Sequence, residues 1–527
     1  MAEAPPPNDA VSSRLARHGT ALILGLWALL YAWRPLALGL YCDDWDAVSA
    51  PWICLWHAQL ERPTADLLFS LLCWALGARP WAWQVFGALA SLAAALSLRL
   101  LVQGLFKDPK GGKADLEANA AALAWLAFPW LLGSTAWPGA CVNMLSLPLC
   151  CLGTCALLEA QGRLRRLAGG FLLLLAGLLD YETFVLSPAL LLAWTAWRRR
   201  PEKPDAPIGR AFLCAGLAAL FSDGVAACYN RCAALGAWGS QPKVLHPHWS
   251  GLAVQNLRAI KDLPRSFGAA GLGMMPALML LLAAALWAAR GRRRLGNLLV
   301  ELCFVVAGLC LSCCLYAIVG YHLAPVGLQS RTTLGASLWM ALLWALCAHT
   351  LVQAGPKARL VLLAAGALFL VSAAASTLRA LDDWRWSWAR QQEILADARR
   401  TPGLEALRSG DVLVADLPPH KGEVPDFSVY WDISGALKLN PPFLKSPARA
   451  GAAAEAAPLF TPGAGYPATV AKTWAMRTLF TGTEIIQTPC APGAPLWRLP
   501  ASGAWVWTPD RGLLRPLKVG EACGCAG

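Results

Sequence analysis

Apolar runs of roughly 18–22 residues recur along this chain with short basic clusters between them, and a helix of that length crosses the hydrocarbon core of a bilayer. Inside hydrocarbon a backbone has no water to bond to, so such runs must be helices whose amides satisfy one another. The sequence therefore predicts an all-α polytopic membrane domain. Composition agrees: 57% of the 527 residues are hydrophobic and 15% are charged, against a charged share of about 25% in soluble domains. The net charge of +13 belongs to residues that flank the spans, so membrane lipids are expected partners and nucleic acid is not.

Charge asymmetry sets the order of the spans. A cytoplasmic N-terminal tail, 1–19, precedes a first helix near 20–40, read as uncleaved because Arg34-Pro35 interrupts it and no small-x-small site follows. An outer loop over 41–80 leads to helices near 82–104, 119–136 and 141–159, with basic ends at Lys107, Lys110, Lys113, Arg163, Arg165 and Arg166. The stretch 168–197 carries Asp180-Tyr181-Glu182 in its middle. As one span it would put Arg163–Arg166 and Arg198–Arg200 on opposite sides, so it is read as two short helices meeting at the acidic triplet. Helices near 208–227, 269–289, 298–319, 333–353 and 358–376 complete a transmembrane domain over 20–376, about 11 spans in all. This topology places the protein in an inner (plasma) membrane, N-terminus cytoplasmic, with the region after 376 periplasmic or otherwise extracytoplasmic.

From about 377 charge rises, Pro and Gly multiply and the long apolar runs stop. A small α+β extracytoplasmic domain is expected over 377–527, opening with a helix near 379–400 and holding strands at Asp411–Asp416, Glu484–Thr488 and Ala504–Thr508. Most of the 18 Cys lie inside apolar helices as small hydrophobes. Cys228, Cys232, Cys490, Cys523 and Cys525 lie outside, without an assignable pairing. His246-Pro247-His248 with Cys228 and Cys232 matches no zinc-site spacing.

Tyr41-Cys42-Asp43-Asp44-Trp45 follows the first span directly. Two adjacent carboxylates are costly in lipid, so the pair has just left it. Such groups suit proton abstraction or metal binding, and Asp also caps helices, so the residues alone leave both readings open. Downstream come Glu61-Arg62-Pro63, an amphipathic stretch Leu67–Leu76, and Leu76-Gly77-Ala78-Arg79-Pro80. Glu182 is a further carboxylate at membrane depth, and Arg331 opens the 333–353 helix after an outer loop. Asp382-Asp383-Trp384 repeats the tripeptide, but among Arg379, Arg385 and Arg390 at helical spacing it reads as a solvated helix face.

In these residues the chain resembles the GT-C superfamily of polytopic membrane glycosyltransferases, the branch of protein O-mannosyltransferases and bacterial aminoarabinose transferases. That family carries an acidic pair in its first outer loop, then a Glu-Lys-Pro-like element, a juxtamembrane helix and a Leu-Gly-x-x-Pro turn. The resemblance covers about 20–106, and Arg62 stands where Lys is usual. It implies a GT-C-like fold and transfer of a sugar, hexosyl or pentosyl, from a polyprenyl-phosphate donor to a glycan, lipid or protein acceptor at the outer face. Asp43 would be the general base. Asp44 would orient the acceptor or hold a divalent cation such as Mg or Mn. Glu61, Arg62, Glu182 and Arg331 would bind substrate, the two arginines at the donor phosphate. An oligosaccharide polymerase or ligase, or a transporter or flippase for a lipid-linked sugar, remain alternatives. The outer-loop position of the acidic pair and the absence of a visible repeat count against transport.

The topology is tested by Asp205→Cys and Glu405→Cys in intact cells. An impermeant thiol reagent should label the second and not the first; labelling of both, or of the first alone, refutes the sidedness.

Overall fold

The computed structural model describes residues 9–42, 44–49, 62–107, 114–160, 163–199, 207–234, 268–289, 292–318, 327–404, 407, 411–416, 424, 426–427, 436–437, 439, 468–472, 476–489, 497–501, 503–520 and 522–523. They form two compact units. The first takes Met1–Leu36, Gln59–Ala65 and Gln84–Asp382; the second takes Ala37–Ala58, Asp66–Trp83 and Asp383–Gly527.

Among the described residues seven helices are long and apolar enough to cross a membrane: His18–Ala37, Pro80–Phe106, Pro138–Leu158, Ile208–Cys228, Leu295–Cys313, Ser330–Gln353 and Pro356–Arg400. An eighth span is possible if Asp115–Ala127 and Pro129–Thr135, bent by 63°, are counted as one. The chain is an integral membrane protein, but the count of about eleven full spans does not stand. Each expected segment is helical, yet Leu164–Asp180 has 17 residues and Ser187–Arg199 has 13, short of the roughly 20 needed to span. The expected 269–289 span is a helix of 21 residues, Gly268–Ala288, of which the described apolar part is Leu278–Ala288.

Proline explains the bend. The residue before a proline is driven out of the helical region, and Phe128 before Pro129 and Trp137 before Pro138 are both extended, at φ −80°, ψ 128° and φ −88°, ψ 111°. Leu334–Gln353 is buried almost throughout. Ser146–Leu158 and Leu164–Asp180 meet at Gly153 and Gly170, where a Cβ on either would lie 3.0 Å from the other's carbonyl oxygen. Small residues let spanning helices approach this closely.

At another point of this unit four helices exchange charge. Arg198 Nη1 donates to Glu301 Oε1 at 2.5 Å, and its Nη2 lies 3.4 Å from His349 Nε2. His349 Nδ1 is 3.0 Å from Glu117 Oε1. Because arginine only donates, Nε2 accepts and the ring proton sits on Nδ1, facing Glu117.

In the second unit the Pro356–Arg400 helix of 45 residues contributes its C-terminal part; at 1.5 Å per residue the whole helix is about 68 Å long, twice a bilayer core. Trp384, Ser387, Gln391, Ile394, Leu395 and Ala398 are buried along it, the stripe of one helix face. Strands β1 (Asp411–Asp416), β2 (Ala468–Lys472), β6 (Gly503–Thr508) and β7 (Leu513–Pro516) make a sheet in the order β2-β1-β6-β7. The β1 pairings are parallel and the β6–β7 pairing antiparallel. Strands β3 (Met476–Phe480), β4 (Glu484–Pro489), β5 (Trp497–Pro500) and β8 (Ala522–Cys523) form an antiparallel sheet, β5-β4-β3-β8. Trp507 Nε1 on β6 donates to Thr401 Oγ1 at 3.0 Å, just past the helix end.

Asp426 is buried at 3% exposure with neither carboxyl oxygen hydrogen-bonded. Burial pushes its carboxyl up to about 7, with Arg390 opposing the rise and Glu393 adding to it. A carboxyl raised in the fold above its unfolded value of about 3.9 favours the native state while protonated, so its contribution holds at acid pH and is lost as pH climbs toward 7. Asp426→Asn should therefore match wild type in unfolding experiments at pH 4 and be more stable at pH 8, by on the order of a few kcal/mol. An equal difference at both pH values would refute the assignment.

Candidate functional site

Within the second unit, the Tyr41–Trp45 segment is fastened to the 384–391 stretch of the long helix. Tyr41 Oη donates to the Trp384 carbonyl at 2.9 Å, and the two rings meet edge-on at 4.7 Å. Trp45 stacks on Trp388 at 5.9 Å and donates from Nε1 to Gln391 Oε1 at 2.7 Å. Trp384, in the second Asp-Asp-Trp, is fully buried, whereas Asp382 is exposed. Further along that helix Arg390 pairs with Glu393 at 2.9 Å and with Asp510.

Asp44 is 1% exposed and opens a short helix, Asp44–Ser49. Its Oδ2 accepts the Tyr41 backbone N–H at 2.7 Å, closing the loop on itself. Cys42, at φ 48°, is the sole non-glycine residue with positive φ among the described residues, a left-handed backbone that costs a side-chain-bearing residue about 1–2 kcal/mol. Strain of this kind persists where surroundings hold it, often at functional sites. Asp43 and Glu61 lie outside the described residues, as do His246, His248 and Cys232.

In the first unit two of the expected residues pair, and a third lies within electrostatic reach of the tyrosine beside them. Arg62 grips Glu182 with two parallel bonds, Nε to Oε2 at 2.8 Å and Nη2 to Oε1 at 2.5 Å. Its guanidinium carbon lies 4.7 Å above the centre of the Tyr181 ring. Arg62, Arg331 and Glu182 are all close enough to act electrostatically on the Tyr181 hydroxyl. Arg331 in turn lies over the Trp137 ring at 4.7 Å.

Local structure accounts for this gathering. Tyr181 is extended, at φ −155° and ψ 116°, between Leu164–Asp180 and the short 3-10 turn Glu182–Phe184. Arg331 sits on a second 3-10 turn, Leu328–Thr333, stapled to the Pro129–Thr135 segment: Ser330 Oγ accepts the Gly133 N–H at 2.6 Å, and Thr333 Oγ1 lies 3.2 Å from the Trp130 carbonyl. The same segment holds Arg34, fully buried over Tyr31 at 3.9 Å and donating to Thr135 Oγ1 at 2.9 Å.

Arg62 thus has a carboxylate partner in Glu182, 120 residues away. The sequence reading missed Tyr181, Trp137 and Arg34, and also Asp223, which is near enough to feel the charge of Glu182. The aromatic residues carried no signal apart from general Trp wealth; Asp223, a lone carboxylate in an apolar helix, did carry one. Asp44, the expected cation ligand, has its carboxylate bonded to its own loop, and among the described residues no group of three His, Cys, Asp or Glu could hold a metal.

No family model and no curated protein matches this chain. Among solved structures it is similar to the crystal structure of the Archaeoglobus fulgidus oligosaccharyltransferase complex with Zn and sulfate, at 14% identity and a TM-score of 0.39, covering 80% of this chain and 61% of that one. This chain spans about three fifths of that protein's length. At that TM-score fold and function rest on this chain's own residues.

Asp44→Asn keeps an oxygen for the Tyr41 N–H, whereas Asp44→Ala leaves a buried donor unsatisfied, at a cost of about 1–3 kcal/mol. Thermal unfolding should separate the two, with Asn near wild type. If both variants are equally destabilised, the charge and not the hydrogen bond holds the loop.

Proposed function

We propose that the protein is a glycosyltransferase that moves a sugar from a polyprenyl-phosphate donor to an acceptor at the outer face of the inner membrane. The observation that supports this most is the convergence of Arg62, Glu182 and Arg331 around Tyr181. Residues from three distant parts of the chain put two guanidinium groups near a break between helices.

A lipid-linked sugar keeps its tail in the bilayer and its phosphate at the interface, so cations held at broken helix ends suit its headgroup. Arginine matches phosphate oxygens in pairs and stays charged. In the proposed reaction the acceptor hydroxyl attacks the anomeric carbon with inversion. The acceptor's proton passes to Asp43, a bond forms from acceptor oxygen to carbon, and the carbon–phosphate oxygen bond breaks. The electron pair stays with the lipid phosphate, whose charge Arg62 and Arg331 stabilise. Asp44 braces the loop. No step is assigned to a metal. Sugar and acceptor are left at class level: hexose or pentose, and glycan, lipid or protein. A polymerase or ligase would use the same chemistry on a longer donor.

Deleting the protein should remove one modification from surface glycans, lipids or proteins, read by mass spectrometry, and the wild-type chain should restore it. Asp43→Asn should not, because losing general-base assistance costs roughly 10²–10⁴ in rate. Asp382→Asn and Asp383→Asn should restore it fully. Full restoration by Asp43→Asn together with Asp44→Asn would falsify the assignment of this loop.

A further inference from the structure

Arg62 is held in two independent ways. Glu182 engages the edge of the guanidinium formed by Nε and Nη2, at 2.8 and 2.5 Å. Tyr181 lies against its face, with the guanidinium carbon 4.7 Å from the ring centre. An arginine side chain has several rotatable bonds, and one fixed at both edge and face presents its charge in a single orientation.

The backbone that carries these two residues is closely packed. Tyr181 is 2% exposed, and its backbone N–H bonds the Gly177 carbonyl at 3.0 Å. The next turn is pressed against Leu334–Gln353 at Gly335, where a Cβ would fall 2.5 Å from Thr183 Oγ1 and 2.9 Å from the Thr183 carbonyl oxygen. Only glycine allows that approach, so the backbone carrying Tyr181 and Glu182 has little room to shift.

We propose that Tyr181 and Glu182 are positioning residues for the lipid phosphate, clamping the Arg62 guanidinium so that it meets the headgroup already oriented, and acting on the ligand only through Arg62. This rests on the donor class given under Proposed function. It differs from a direct role for Glu182 toward the acceptor, and from a role as a carboxylate that must leave before phosphate can bind. A pre-oriented group loses less freedom on binding, and removing either half of the clamp weakens affinity without removing a ligand contact.

The test is a binding titration of purified full-length protein in nanodiscs with a polyprenyl monophosphate, followed by thermophoresis. Thermal unfolding of each variant checks that the fold is preserved. Tyr181→Phe keeps the ring and should bind as wild type. Tyr181→Leu and Glu182→Gln should each bind roughly three- to tenfold more weakly, as expected for losing a partly desolvated cation–π contact or an oriented ion pair. In an Arg62→Ala background both changes should have no further effect, since the residue they act through is gone. Weakening that persists in that background would overturn the clamp, as would tighter binding by Glu182→Gln. Wild type binding no polyprenyl phosphate at all would overturn the donor class and the clamp together; binding with an additive cycle overturns the clamp alone.

Discussion

A cation taken out of water must be given something in return, and in the helical unit that return comes from aromatic faces. Four arginines there lie over rings: Arg34 on Tyr31 at 3.9 Å, Arg62 on Tyr181 at 4.7 Å, Arg198 on Phe106 at 4.3 Å and Arg331 on Trp137 at 4.7 Å. The planar, weakly hydrated guanidinium stacks where a lysine ammonium would not. Two of the four also grip a carboxylate, Arg62 with Glu182 and Arg198 with Glu301. Leaving one member of the buried Arg198–Glu301 pair alone in a low-dielectric interior costs several kcal/mol, whereas Glu182, whose side chain is 45% exposed, is partly screened by water. These pairs join segments 120 and 103 residues apart, so electrostatic satisfaction also fixes which helices are neighbours.

The second constraint is the backbone. A helix in hydrocarbon leaves no amide unmet, and an irregular segment there must be enclosed by protein. The breaks at Phe128, Trp137 and Tyr181 meet this condition, with all three residues buried. Where a helix stops, its end groups and the side chains beside them are turned toward one another, and three expected site residues gather at such stops. The helices on either side of Asp180–Glu182 are short, at 17 and 13 residues, and the chain between them is extended at Tyr181.

Much of this was legible in the sequence, and the limits follow from what a local pattern contains. The division of 168–197 into two helices came from charge on its flanks and agrees with Leu164–Asp180 and Ser187–Arg199. Strand patterns at 411–416, 484–488 and 504–508 coincide with β1, β4 and β6. The short β5, β7 and β8 give too few residues for a period. Arg62, Glu182 and Arg331 each stood out as a charge at membrane depth or at the interface. Their mutual arrangement did not, because pairing across 120 residues depends on packing that no window of sequence records. Tyr181 was passed over for the same reason: a tyrosine between two acids has no signature until an arginine lies on it.

The two Asp-Asp-Trp tripeptides show how far backbone context, rather than composition, decides what a carboxylate does. At 382–384 the tripeptide continues a long helix, and the 3.6-residue period sends Trp384 inward and Asp382 to the surface. At 43–45 the chain has just left a helix and turned through a left-handed Cys42. There Asp44 becomes the buried residue, bonded to the amide of Tyr41, while Tyr41 and Trp45 are anchored on the long helix. The turn buries Asp44 as its own brace and commits that carboxylate to structure, beside a strained Cys42 flanked by two aromatic anchors. The helix copy of the motif has no such turn, and there the residue that the backbone buries is the tryptophan.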